Sequence, residues 1–252
     1  MIEKIESVTV ELLTKAHNSP GWGVHVLDTY EEFSRFSGIN ITQPKDLYIK
    51  VNEALIEKFI DKRIDSYKLK VTLIGGGTGI LGGPVGVAGL IVDLEEYLRA
   101  IYNLSQEISY VYGILPNPFS FEKIESDREL FFESISKDTL KAMAIGLGAS
   151  SVSFVSKEIF KAIAKKEAKE ILNKKISEKL ITQLAKEVGK LLGKQLTKKA
   201  ISQGALRFIP IIGGVVAGAI NYKSFEMVGK NLKEGLKKER EILKEIILNS
   251  EN

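Results

Sequence analysis

The sequence predicts an all-α protein, and three observations carry that expectation. Apolar residues recur at helical spacing over most of the chain, strand-like alternation is nowhere sustained, and glycine and proline gather at a few break points. The predicted architecture is a multi-helix domain with glycine-rich apolar helices or hairpins at its centre and long amphipathic Lys-rich helices. Two parts are expected: an N-terminal helix with a Pro/Gly-punctuated loop over 1–43, and a helical domain over 44–252.

Residues 2–16 place Ile2, Ile5, Val8, Leu12 and Leu13 at amphipathic spacing. The stretch 17–44 is broken by Pro20, Gly21, Gly23, Gly38 and Pro44 and reads as loop with a short helix near 28–36. His17 and His25 within it are read as part of a polar loop rather than as a ligand pair. Thr42 followed by Pro44 suits a helix start, and Leu47, Val51, Leu55, Phe59 and Ile60 carry that helix to about Lys70. A further helix is expected over 93–113. Asp93 suits its N-cap, Glu95 and Glu96 suit the positive end of its dipole, and Gly113 suits its stop. The segment ILPNPFSF then breaks the chain, and 136–248 is helical in pattern.

Composition narrows the function classes. With 252 residues, 44% hydrophobic and 27% charged, the chain is long and apolar enough to bury a core. It has no cysteine, which excludes disulfides, thiolate chemistry and cysteine-ligated zinc. Its two histidines argue against metal sites and histidine-based triads. Glu3 and Glu6 stand where a secretory signal would be basic and then apolar, so a cytoplasmic chain is expected. Charge is unevenly spread: residues 157–241 hold 20 Lys/Arg against 9 Asp/Glu, a net of +11, which leaves −6 over 1–156. An anionic surface is the expected partner, against the plainer reading of a solvated helical face. Nucleic acid is not expected, since Phe160 is the only aromatic residue in the Lys-rich stretch 157–201.

Three uncharged stretches rich in small residues stand out: 71–92, 142–156 and 208–222. In the first, Gly77, Gly79 and Gly82 match the dinucleotide pattern G-x-G-x-x-G, and KVTLI before them is a candidate strand. The surroundings argue against a nucleotide site. Pro84, Gly86 and Gly89 occupy the helix that should follow, and no further strands supply a sheet. As a membrane segment the 22-residue run has the length for a span, but eight glycines and Pro84 offset its ten Ile, Leu and Val residues. Small residues four apart offer a packing strip instead: Gly75, Gly79 and Gly83; Gly82 and Gly86; Ala142, Gly146 and Ser150; Gly214 and Gly218. Such strips serve helix packing or membrane insertion alike. Lys165, Lys169, Lys186, Lys190, Lys194 and Lys198 in the amphipathic segment between the second and third stretches are the candidates for contact with anionic lipid. Asp93 and Asn221 each end an uncharged run. They are read as a helix cap and a buried amide, or else as groups gripping a lipid headgroup or a lysine. Pro210 starts or kinks its helix, and Tyr110 and Tyr112 mark an interface level or the core.

Three features together resemble the EcsC protein family. They are the glycine-rich run ending in Asp93, the helix closing with EISYVYG (107–113), and the segment FIPIIGGVVAGAIN (208–221). The resemblance covers about residues 47–235. It implies a helical, membrane-associated protein serving beside a bacterial exporter, with a membrane transporter as partner, no cofactor and no catalytic residues. It says nothing of 17–43. The alternatives left open are a pore-former that inserts glycine-rich hairpins into a bilayer, and an enzyme binding a nucleotide at Gly77–Gly82.

Overall fold

Seen in a computed structural model, which describes residues 2–17, 22–78, 84–116, 128–148, 178, 180–190 and 210–250, the described chain is helical and contains no strand. Its helices are α1 (Ile2–His17), α2 (Val26–Ser37), α3 (Asp46–Ile49), α4 (Glu53–Thr78), α5 (Pro84–Val111), α6 (Arg128–Gly146), α7 (180–190) and α8 (Pro210–Ser250).

Local chemistry explains several boundaries, and some differ from expectation. The helix expected from 44 to 70 is two: the single turn α3, then α4. The division falls at Asn52, whose Oδ1 accepts from the amide of Ala54 at 2.8 Å and so caps a new helix. Before it, the Asp46 carboxylate gathers the amides of Thr42 and Gln43 and the hydroxyl of Thr42, which stabilises a turn instead of a continuous helix. α4 continues beyond Lys70 through Gly75, Gly76 and Gly77, so the KVTLI segment is helical. α5 begins at Pro84, not at Asp93, which therefore lies inside the helix and is not its N-cap. At the first helical position proline loses no hydrogen bond, so it does not carry the cost it would have further in. Gly113 ends the helix in the left-handed region (φ 72°), and a Cβ there would meet the Tyr48 ring at 2.6 Å.

α4 and α5 form an antiparallel hairpin: Glu57 meets Tyr112 near one end, and Arg63 meets Glu107 further along. α8 runs antiparallel to α4, as the pairs Glu53–Lys237, Glu57–Lys233, Ile64–Gly229 and Lys68–Tyr222 show. It is therefore parallel to α5, where Tyr97 faces Phe225 and Tyr112 faces Arg240. α6 packs on α5 and α8, while α1 and α2 cover α5.

The core is continuous from Leu13 through Tyr30, Phe33, Phe59, Ile60, Leu98 and Tyr102 to Phe225 and Leu236. Each such side chain contributes about 1.5–3 kcal/mol by leaving water. Residues from both 1–43 and 44–252 build it. Trp22 is 2% exposed, meeting Tyr102 edge-on and lying under Arg99, so the 22–37 stretch is packed structure rather than a polar loop. His25 caps α2, its Nδ1 accepting from the amide of Leu27. Tyr110 and Tyr112 are both fully buried and belong to the core.

Candidate interaction surface

The antiparallel and parallel pairings bring three helix ends together. The last turns of α4 (75–78), the first turns of α5 (84–92) and the first turns of α8 (210–221) all lie at one end of the bundle. They belong to the first and third uncharged stretches of the sequence. Gly75, Gly86, Gly214, Gly218 and Asn221 fall in them as helical backbone positions, Asp93 follows directly on the α5 segment, and Pro210 opens α8. Gly79, Gly83 and Ser150 lie outside the described residues.

The solvent-facing stripe of α4 changes character toward this end. Lys58, Asp61, Lys62 and Asp65 are exposed, and the next two positions on the stripe are Leu69 and Leu73, at 61% and 67% exposure. Among the described residues no other large apolar side chain is so exposed. Across from them on α8, Tyr222 lies open to solvent with Lys68 Nζ 4.7 Å from its ring centroid. Lys68 also bonds Asp65 at 2.7 Å, and that partner holds its pKa above the usual lysine value. Lys70 and Lys223 are exposed beside them.

The second uncharged stretch is placed quite differently. Ala142, Met143, Ala144 and Leu147 are buried, and Gly146 sits under α8, where a Cβ would stand 2.8 Å from Leu232 Cγ. Asn231 fastens the contact, donating to the Gly146 carbonyl at 3.0 Å. Gly146 thus acts in helix packing.

Of the Lys-rich segment, α7 is described. Its Leu180, Ile181, Leu184, Ala185 and Val188 are buried, with Gly189 against Glu6 of α1. Lys186 and Lys190 are exposed, and Lys190 bonds Glu187 at 2.8 Å. Lys165, Lys169, Lys194 and Lys198 lie outside the described residues.

Two arginines, Arg63 partly buried and Arg240 buried, escaped the sequence reading. Arg63 holds Glu107 with two bonds (2.6 and 2.8 Å) and Glu32 with a third at 2.8 Å, while the Tyr67 hydroxyl donates to Glu107 at 2.7 Å. Burial alone would lower the Arg63 pKa, but its bonds to Glu107 and the charge of Glu32 hold it above the usual value. Arg240, 3% exposed, donates to the carbonyls of Tyr112 and Leu47 and lies over the Tyr48 ring; burial pulls its pKa down. Arg63 bonds through Nε, Nη1 and Nη2, and both Glu107 oxygens accept, so the cluster ties α2, α4 and α5 together. The available signal was arginine itself. The chain prefers lysine heavily, and a planar fork suits a buried site with several acceptors.

Among the described residues no group of three His, Asp or Glu is placed to hold a metal, and no helix is long and apolar enough to cross a membrane. Because KVTLI is helical, the dinucleotide pattern at Gly77 has no strand before it. No protein-family model, curated protein or solved structure matches the chain.

Proposed function

We propose that this chain is a non-enzymatic, membrane-associated helical protein of the EcsC type. It docks on anionic lipid at the cytoplasmic face of the inner membrane and serves as an accessory or regulator of a transport or export system. One observation carries the membrane part: uncharged helix ends converge at one end of the bundle, where the wet stripe of α4 turns from charged residues to Leu69 and Leu73. A soluble surface rarely places its most exposed leucines beside its least charged segments, and such a patch suits contact with an apolar phase. Shallow insertion or docking fits better than spanning, since no described helix is both long and apolar enough to cross. The transport role rests on the motif resemblance alone.

Fractionation of cells expressing the chain, followed by a carbonate wash, tests the reading. Recovery in the membrane pellet with release by carbonate is expected for docking. Recovery wholly in the soluble fraction removes the proposal. Resistance to carbonate, together with dye leakage from anionic liposomes, transfers the chain to the pore-forming class.

A further inference from the structure

We propose that the lipid contact is made by the α4–α8 side of this end, where Leu69, Leu73 and Tyr222 are rimmed by Lys68, Lys70 and Lys223, and that its occupant is the interface of an anionic phospholipid bilayer. The inference rests on the membrane reading above and moves the contact away from the Lys-rich segment 157–201.

Charge gives the first reason. Lys68 is paired with Asp65 at 2.7 Å, but Lys70 on α4 and Lys223 on α8 are exposed, and from Lys68 to Leu73 and at Tyr222 and Lys223 the sequence carries no acid. On the adjoining helix α5, Asp93 is the acid nearest this end, followed by half-buried Glu96 and by Glu95, which is held by Lys15 at 3.7 Å and Arg99 at 3.3 Å. The second reason is chemical layering. Leu73 stands nearest the uncharged helix ends, and Leu69 shares a level with the Lys68–Tyr222 pair about one turn back. That order matches the sequence of acyl chain, interface and headgroup through a bilayer leaflet, where amphipathic rings and lysine stems settle between the two.

Flotation of the full chain with vesicles of phosphatidylglycerol and phosphatidylcholine, against vesicles of phosphatidylcholine alone, tests this. The wild type is expected to float with the anionic vesicles. Neutralising two surface lysines in Lys70→Gln/Lys223→Gln should weaken binding about 25-fold, at about fivefold per lysine. Leu69→Ser/Leu73→Ser should weaken it at least about tenfold, and Lys186→Gln should leave it unchanged. Because the chain lacks cysteine, Leu73→Cys also carries a single environment-sensitive fluorophore, which should shift to the blue on anionic vesicles, while the same label at Lys62→Cys should not. Undiminished flotation of both tip variants, with loss in Lys186→Gln, overturns this assignment and leaves the membrane reading standing. A wild type that floats with neither vesicle overturns both.

Discussion

The stretches 71–92 and 142–148 are nearly alike in composition, both uncharged and both rich in small residues four apart, yet they do different work. The second is sealed: Gly146 lets α8 approach until Leu232 and Val228 fill the space a side chain would take. The first leads to an end of the bundle where Leu69 and Leu73 face outward. The lesson is that small-residue spacing specifies a close approach, while the neighbours available at that level decide whether protein or another phase makes it.

The contrast can be broken or sharpened by experiment. The largest effect is expected from alkali, which attacks the sealed part alone. Seven of the eight tyrosines (Tyr30, Tyr48, Tyr67, Tyr97, Tyr102, Tyr110 and Tyr112) are buried, and burial pushes each phenol up, Tyr97 to about 12. A raised folded pKa gives stability that is complete below the unfolded value near 10 and is lost as pH rises through the folded values. Phenolate absorbance at 295 nm from these residues should therefore rise together with loss of the helical circular dichroism signal. Ionisation of all seven in a fully helical protein would contradict the packing described.

Next in size is Glu107→Ala, which leaves partly buried Arg63 with Glu32 alone and the Tyr67 hydroxyl without its acceptor, and should cost about 1–3 kcal/mol in urea unfolding. Gly146→Val forces a β-branched side chain against Leu232 and should cost about 1–3 kcal/mol. Equal stability of Gly146→Val and wild type would mean that α8 does not approach there. A smaller effect belongs to the ladder between α4 and α8, where Lys233 and Lys237 bridge Glu53, Glu57 and Asp61. Burial pushes the Glu57 carboxyl up, but bonds from Lys233 and Tyr112 hold it below the usual range; its bond to Lys237 does the same for Glu53. Depressed carboxyl pKa values give stability that is present above the usual range and lost as pH falls through the lowered values. These groups are partly exposed, so the drop in melting temperature between pH 5 and pH 3 should be modest and should shrink further in 1 M salt. Smallest of all, Leu73→Ser should change stability by no more than about 0.5 kcal/mol. A large loss there would mean the leucine is covered by protein.

Much of the fold was legible because helical periodicity is a local signal. The stripe of Leu55, Phe59 and Ile60, the stop at Gly113 and the small-residue strip through Gly146 all follow from spacing and backbone freedom. The division at Asn52 was missed because Leu47 and Val51 keep the same period across it, and only the turn gathered on Asp46 separates them. The true start of α5 was missed because Pro84 was weighed as an interior residue. Of the candidate surface, the sequence supplied the uncharged segments. It did not supply Leu69 and Leu73, which look like any other apolar pair at helical spacing.

By itself the sequence determined that this chain is helical, where its uncharged segments lie, and that its cations concentrate toward the C-terminal half. Only the tertiary structure decided which apolar residues are sealed and which face outward. Arg63 meets Glu107 and Arg240 meets Leu47 across 44 and 193 residues of chain. A local period fixes the face a side chain takes on its own helix, and what lies opposite that face depends on which distant helix arrives there.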